Sequence, residues 1–62
     1  MNQWFQEILE TPFKDISDED IHTLFRGLID PNNEDVDLSV SSKRYWVEKE
    51  LSDIKLRLAM RL

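Results

Sequence analysis

Ser42–Leu62, SKRYWVEKELSDIKLRLAMRL, is the stretch that decides the fold. It contains neither Gly nor Pro, and the good helix formers Leu, Lys, Glu, Arg, Ala and Met dominate it. Val47, Leu51, Ile54, Leu58 and Leu62 follow one another at helical steps and form one apolar stripe. Ser41 or Ser42 is placed to act as N-cap, its oxygen taking an otherwise unpaired backbone N–H. Lys55, Arg57 and Arg61 stand near the C-terminal end, where the helix dipole favours positive charge. Lys43 and Arg44 stand at the opposite end. Their position calls for acidic partners elsewhere in the chain.

This helix is apolar on more than one side. Tyr45, Leu56 and Met60 point roughly opposite the main stripe, with Ala59 at their edge, and Trp46 lies on the other flank. A surface helix needs only one such stripe. Either the helix is sandwiched between two others of its own fold, or its second face meets another molecule. Isolated apolar residues on a surface require no explanation.

The rest of the chain is short. Sixty-two residues make a single small helical domain, 1–62. A chain of this size buries only about 60% of the surface its unfolded form exposes. With no Cys, neither a disulfide nor a thiolate metal site can reinforce it. Oligomerisation or partner binding is one way such a domain gains stability. No apolar run reaches the roughly 18 residues of a membrane span. The opening MNQWFQEILE lacks the basic start and apolar core of a signal peptide, so a cytoplasmic location is expected.

Charge is unevenly distributed. Residues 1–41 hold ten acidic and two basic side chains, a balance of −8. Residues 42–62 hold three acidic and six basic, a balance of +3. Attraction between the two parts inside the fold is the first reading. Nucleic-acid binding by the basic helix is disfavoured, because phosphate would repel a chain of net charge −5.

Upstream, Asn2–Leu9 reads as a short helix with Trp4, Phe5, Ile8 and Leu9 on its apolar face. The two aromatics suggest an N-terminus tied to the core. Pro12 stops this helix, and Phe13 is an anchor in the connection. Ile16–Ile29 carries the clearest local grammar. Ser17 is the N-cap and Asp20 stands at capping-box spacing, with Ile16 and Ile21 as a hydrophobic staple. Asp18, Glu19 and Asp20 suit the first turn. Ile21, Leu24, Phe25 and Leu28 complete the buried face. Gly27 either ends the helix early or permits close packing inside it.

Asp30–Ser41, DPNNEDVDLSVS, begins as an acidic turn. Val36, Leu38 and Val40 then alternate with polar residues, as in a short strand. Such a strand would need a partner: Lys43–Val47 in a hairpin, or a strand of another molecule. An extended loop whose apolar side chains cover the bundle is the first choice.

Catalytic and metal-binding signals are weak. Asp30, Asn32 and Glu34 have the alternating spacing of a calcium loop, but Asp35 stands where Gly is needed and Ser41 where Glu is needed. His22 is the only histidine, so no second imidazole can complete a zinc site. Ser17, Ser39, Ser41 and Ser42 are possible nucleophiles, but no spacing selects one for a triad. One Gly cannot make a phosphate loop. Three short helices have little room to enclose a catalytic pocket. No enzyme, cofactor, metal or small-molecule substrate is expected.

The stretch TPFKDISDEDIHTLFRGLI, residues 11–29, resembles the start of one family of bacterial contact-dependent growth-inhibition immunity proteins. In that family a PLKDF-type lead-in precedes a short amphipathic helix that opens with acidic residues. The likeness rests on a cap, a staple and an apolar face, and no functional residue is carried over from it.

The expectation is a mainly α, small three-helix domain with a long C-terminal helix and an acidic loop that holds a candidate extended segment. Its leading function is non-catalytic protein interaction, as an adaptor, docking or dimerisation domain. It would bind another protein or a second copy of itself, and neither nucleic acid nor membrane. Tyr45, Trp46, Leu56 and Met60 would make contact, together with the 36–40 segment. The second function is an acidic inhibitor, antitoxin or immunity protein that neutralises a basic enzyme through Glu34, Asp35 and Asp37.

Overall fold

A computed structural model describes residues 2–35 and 37–61. Among the described residues the fold is mainly α, with three helices and no strand: α1 (Gln3–Glu10), α2 (Asp18–Leu28) and α3 (Val40–Ala59), with a single 3-10 turn at Phe13–Asp15. No helix among these residues is long and apolar enough to cross a membrane.

Local chemistry sets the boundaries of α1. The Asn2 carboxamide oxygen accepts the Phe5 N–H at 2.7 Å. Asn2 is therefore the cap rather than the first helical residue. At the other end the Thr11 hydroxyl donates to the Glu7 carbonyl at 2.7 Å, and Pro12 forbids continuation. Ile8 is buried, and Phe5 and Leu9 pack against the core. Trp4 does not follow Phe5 inward: it is 39% exposed.

In α2 the expected cap and staple are both present. The Ser17 hydroxyl accepts the Asp20 N–H at 3.2 Å, and Ile16 and Ile21 are buried on either side of that cap. Ile21, Leu24 and Phe25 form the inner face. Gly27 lies inside the helix, yet a β-carbon added there would meet nothing within 4 Å. Neither expected reason for this glycine holds, since it does not end the helix and nothing packs closely against it.

α3 begins earlier than its sequence suggests. Ser39, not Ser41 or Ser42, is the N-cap, its hydroxyl accepting the Ser42 N–H at 3.2 Å. Val40 is therefore helical rather than part of a strand. It stands seven residues before Val47, on the same side of the helix. The hairpin alternative fails for the same reason, because residues 43–47 are helical. Leu38 is half-buried against the core as a loop residue, and Val36 lies outside the described residues.

The core is formed by Ile8, Ile16, Ile21, Leu24, Phe25, Val47 and Leu51. The α3 stripe is thus deeply buried only at Val47 and Leu51. Ile54 and Leu58 are half-buried outside that cluster, and Leu62 lies outside the described residues. Length explains the difference. At 1.5 Å per residue α3 runs about 30 Å and α2, its principal packing partner, about 16 Å. The last turns of α3 extend past the core in a molecule measuring 39 × 22 × 20 Å.

Of the two cations at the start of α3, Arg44 finds an acidic partner and Lys43 does not. The Arg44 guanidinium donates to the Ile16 carbonyl at 2.6 Å and to Asp18 at 2.8 Å, and it lies 5.7 Å from the Phe13 ring centre. Lys43 sits over the Phe25 ring at 5.6 Å and beside His22 Nδ1 at 3.2 Å. One acid of the α2 N-terminus, Asp18, and one base of α3, Arg44, are therefore paired across the fold.

Candidate interaction surface

The loop that joins α2 to α3 is organised by Asp30, the one buried charged residue among those described. Its two carboxylate oxygens accept the backbone N–H groups of Glu34 and Asp35, at 2.9 and 3.0 Å. Its own N–H donates to the Phe25 carbonyl and its carbonyl accepts from Asn33, so one residue ties the loop to the end of α2. Asn33 adopts the left-handed conformation, at φ 56°, which Asn tolerates better than most residues. The N–H groups of Asp35 and Glu34 hold the Asp30 carboxyl below its ordinary pKa, with smaller help from Arg26 and Lys43; partial burial opposes them.

Each Asp30 carboxylate oxygen thus bonds one of the loop's own amides. Among the described residues no group of three metal-ligating side chains comes together. His22 meets Lys43 rather than a serine, while Ser17 and Ser39 serve as helix caps.

With Asp30 turned inward, Glu34, Asp35 and Asp37 are left exposed. None of them makes an ion pair among the described residues. Asn32 donates a long hydrogen bond to Glu34 at 3.4 Å.

Beside this loop lies the outward side of α3. Tyr45, Trp46, Leu56 and Met60 are 55, 46, 59 and 76% exposed. All four stay exposed, so among the described residues α3 is not sandwiched between two other helices. The Tyr45 and Trp46 rings meet edge to face, 5.3 Å apart at 80°. The Lys49 ammonium sits over both, at 5.5 and 5.3 Å.

Trp46 is the pivot of the surface. It forms a wall of one shallow depression with Phe25, Ile29, Asp35 and Leu38. It forms a wall of a second with Ile29, Lys49, Glu50, Asp53 and Leu56. Asp35 and Trp46, which sequence reading assigned to two separate surfaces, thus line one depression. Leu38 belongs to the 36–40 segment expected to make contact, and Ile29 is a further member that the sequence did not single out. Its signal was present only as an apolar residue before the acidic loop.

Arg57 borders the same flank further along α3 and pairs with Asp53 and, at 3.7 Å, with Glu50. Ile54, Arg57, Leu58 and Arg61 frame another depression at the overhanging end. Because Ile54 and Leu58 continue the row of Val47 and Leu51, this depression lies on the core side of α3 and not on the side that carries Tyr45, Leu56 and Met60.

Comparison with family models, curated proteins and solved structures finds no match to the chain.

Proposed function

We propose that this chain is a small non-catalytic protein-interaction module that docks through the outward side of α3 and the adjoining loop. The observation that carries the reading is the exposure of Tyr45, Trp46, Leu56 and Met60 on a helix whose opposite side supplies Val47 and Leu51 to the core. Trp and Tyr are among the side chains that contribute most per residue when an interface closes over them. The aromatic pair is already braced by Lys49, so little side-chain freedom would be lost on binding.

Photo-crosslinking in cells tests this. A benzophenone amino acid replaces Tyr45 or Met60 in one set of variants, and Gln6 on the polar side of α1 in a control. Covalent protein adducts are expected from the α3 positions and not from Gln6. Adducts only from Gln6, or none from α3, would refute the reading.

A second reading is favoured by Glu34, Asp35 and Asp37, which are exposed without an ion pair. An acidic inhibitor, antitoxin or immunity protein would use them to steer onto a basic enzyme. Charge reversal at these three positions should then slow association and flatten its salt dependence. Unchanged kinetics would dismiss it.

A further inference from the structure

We infer that the depression between Trp46 and Asp35 seats one arginine side chain of a basic partner protein. The inference rests on the docking role proposed above and deepens it by naming the anchor that the partner brings.

The depression combines three features that suit a guanidinium on an apolar stem. Its floor is apolar: Phe25 is buried, and Ile29 and Leu38 are half-buried. One wall is the Trp46 indole, which stays 46% exposed. Its rim carries Asp35, an exposed carboxylate with no ion pair among the described residues. An aliphatic guest fits the floor and the wall, but it strips water from Asp35 and gives nothing in return. A guanidinium pairs with the carboxylate through two parallel N–H donors and stacks on the indole. Its methylene stem then covers Ile29 and Leu38.

The chain's own cations leave this place to a partner. Lys49 sits over the Trp46 ring but lines the neighbouring depression. Lys43 lies over Phe25 and beside His22. Arg44 is held by Asp18 and the Ile16 carbonyl. None of the three lines the depression that Asp35 borders.

Charge around the site selects the same guest. Glu34 and Asp37, on the loop that carries Asp35, are exposed and make no ion pair among the described residues. Their field draws a cationic group toward the depression and turns an anionic one away.

The surroundings point to a polypeptide rather than a free amine. Trp46 and Ile29 also line the second depression, which continues along α3 to Leu56. A chain that seats its arginine in the first depression brings a neighbouring apolar side chain to the second. Arginine against an exposed indole is also a pairing of two residue types that dominate interface energies.

Nuclear magnetic resonance of the nitrogen-15-labelled chain tests the inference. The indole N–H signals of Trp46 and Trp4 are followed during titration with the blocked tetrapeptide Ala-Arg-Leu-Ala. Two further probes are its citrulline counterpart, which keeps the shape and loses the charge, and agmatine, which carries the guanidinium without a peptide. The Trp46 indole and the Asp35 amide should shift together and saturate with a dissociation constant on the order of 1 mM. Trp4, which does not line the depression, should stay in place. The citrulline peptide and agmatine should each bind at least about fivefold more weakly. Asp35→Asn should cut the preference for arginine over citrulline to below about twofold. That change leaves the loop intact, because Asp35 gives Asp30 only its backbone N–H. Glu10→Gln, which removes the same charge from α1, should keep the preference.

A Trp46 signal unmoved at about 20 mM peptide overturns the inference, as does a citrulline peptide or agmatine that binds as tightly as the arginine peptide. An Asp35→Asn chain that keeps the preference overturns it too. So does a Trp46 signal that moves when the chain alone is concentrated, which marks a second copy as the occupant. Photo-crosslinking distinguishes this failure from that of the broader reading. Adducts from Tyr45 and Met60 without an arginine preference keep the docking role and remove the anchor, and the absence of both removes both.

Discussion

Leu51 and Leu56 offer an internal comparison on one helix. Both are replaced by Ala, and the same atoms are removed from each. Leu51 is 3% exposed inside the core, while Leu56 is 59% exposed. For Leu51 the lost transfer free energy and the cavity left behind together amount to about 3 kcal/mol. For Leu56 less than half the side chain is shielded, no cavity forms, and Ala is the better helix former. Its loss is about 0.5 kcal/mol. A chain of this length holds roughly 3–9 kcal/mol in total, so Leu51→Ala removes a third or more of its stability. In thermal unfolding that is a drop of about 15 °C for Leu51→Ala against a few degrees for Leu56→Ala. Urea titration followed by far-ultraviolet dichroism gives both values. The assignment of faces fails if Leu56→Ala costs about 2 kcal/mol or more under those conditions, because that face would then be covered by the chain itself.

Three further outcomes follow from local geometry. Gly27→Ala should stabilise the chain by about 0.5–1 kcal/mol, since the position is helical and the added methyl meets open space; a lower melting temperature would contradict this. Ser39→Ala should lose about 1 kcal/mol as a cap deletion, and Ser41→Ala should fall within about 0.5 kcal/mol of wild type; equal urea midpoints for the two would return the cap to the position the sequence suggested. The Asp30 carboxyl is held below its ordinary value of 3.8, so its contribution is complete above that pH and is lost as pH falls through the lower folded value. Asp30→Asn should therefore be less stable at pH 7, and the gap to wild type should narrow below about pH 4; a gap that widened on acidification would show the sign to be wrong.

How far the sequence could be read depended on the distance over which each feature is encoded. Ser17, Asp20, Ile16 and Ile21 lie within six positions, and their cap and staple were legible because helix N-termini are specified locally. Ser39 was not, because Val36, Leu38 and Val40 also satisfy a period of two. The competing signal was Val40 itself, which lies two helical turns before Val47 and so continues the apolar stripe. The charge of Arg44 at the wrong helix end correctly announced a remote partner, but nothing local could identify Ile16 and Asp18. Asp30 was invisible for the same reason: its carboxylate matters only once the loop has folded back to present the amides of residues 34 and 35. The exposed α3 residues were legible as an excess of apolar character. Their meeting with Asp35 at the Trp46 depression required the tertiary fold.

Asp30 also bears on how this chain can change over generations. One carboxylate sets the path of the turn through bonds to backbone amides, which every residue type except Pro provides. The side chains at 34, 35 and 37 take no part in those bonds, so their identity is uncoupled from the shape of the loop that carries them. Mutation can therefore rewrite the electrostatic signature of this surface one residue at a time while the scaffold beneath keeps its form. A change at Asp30 instead alters the scaffold itself. The loop thus separates one position that sets its geometry from three exposed positions that do not.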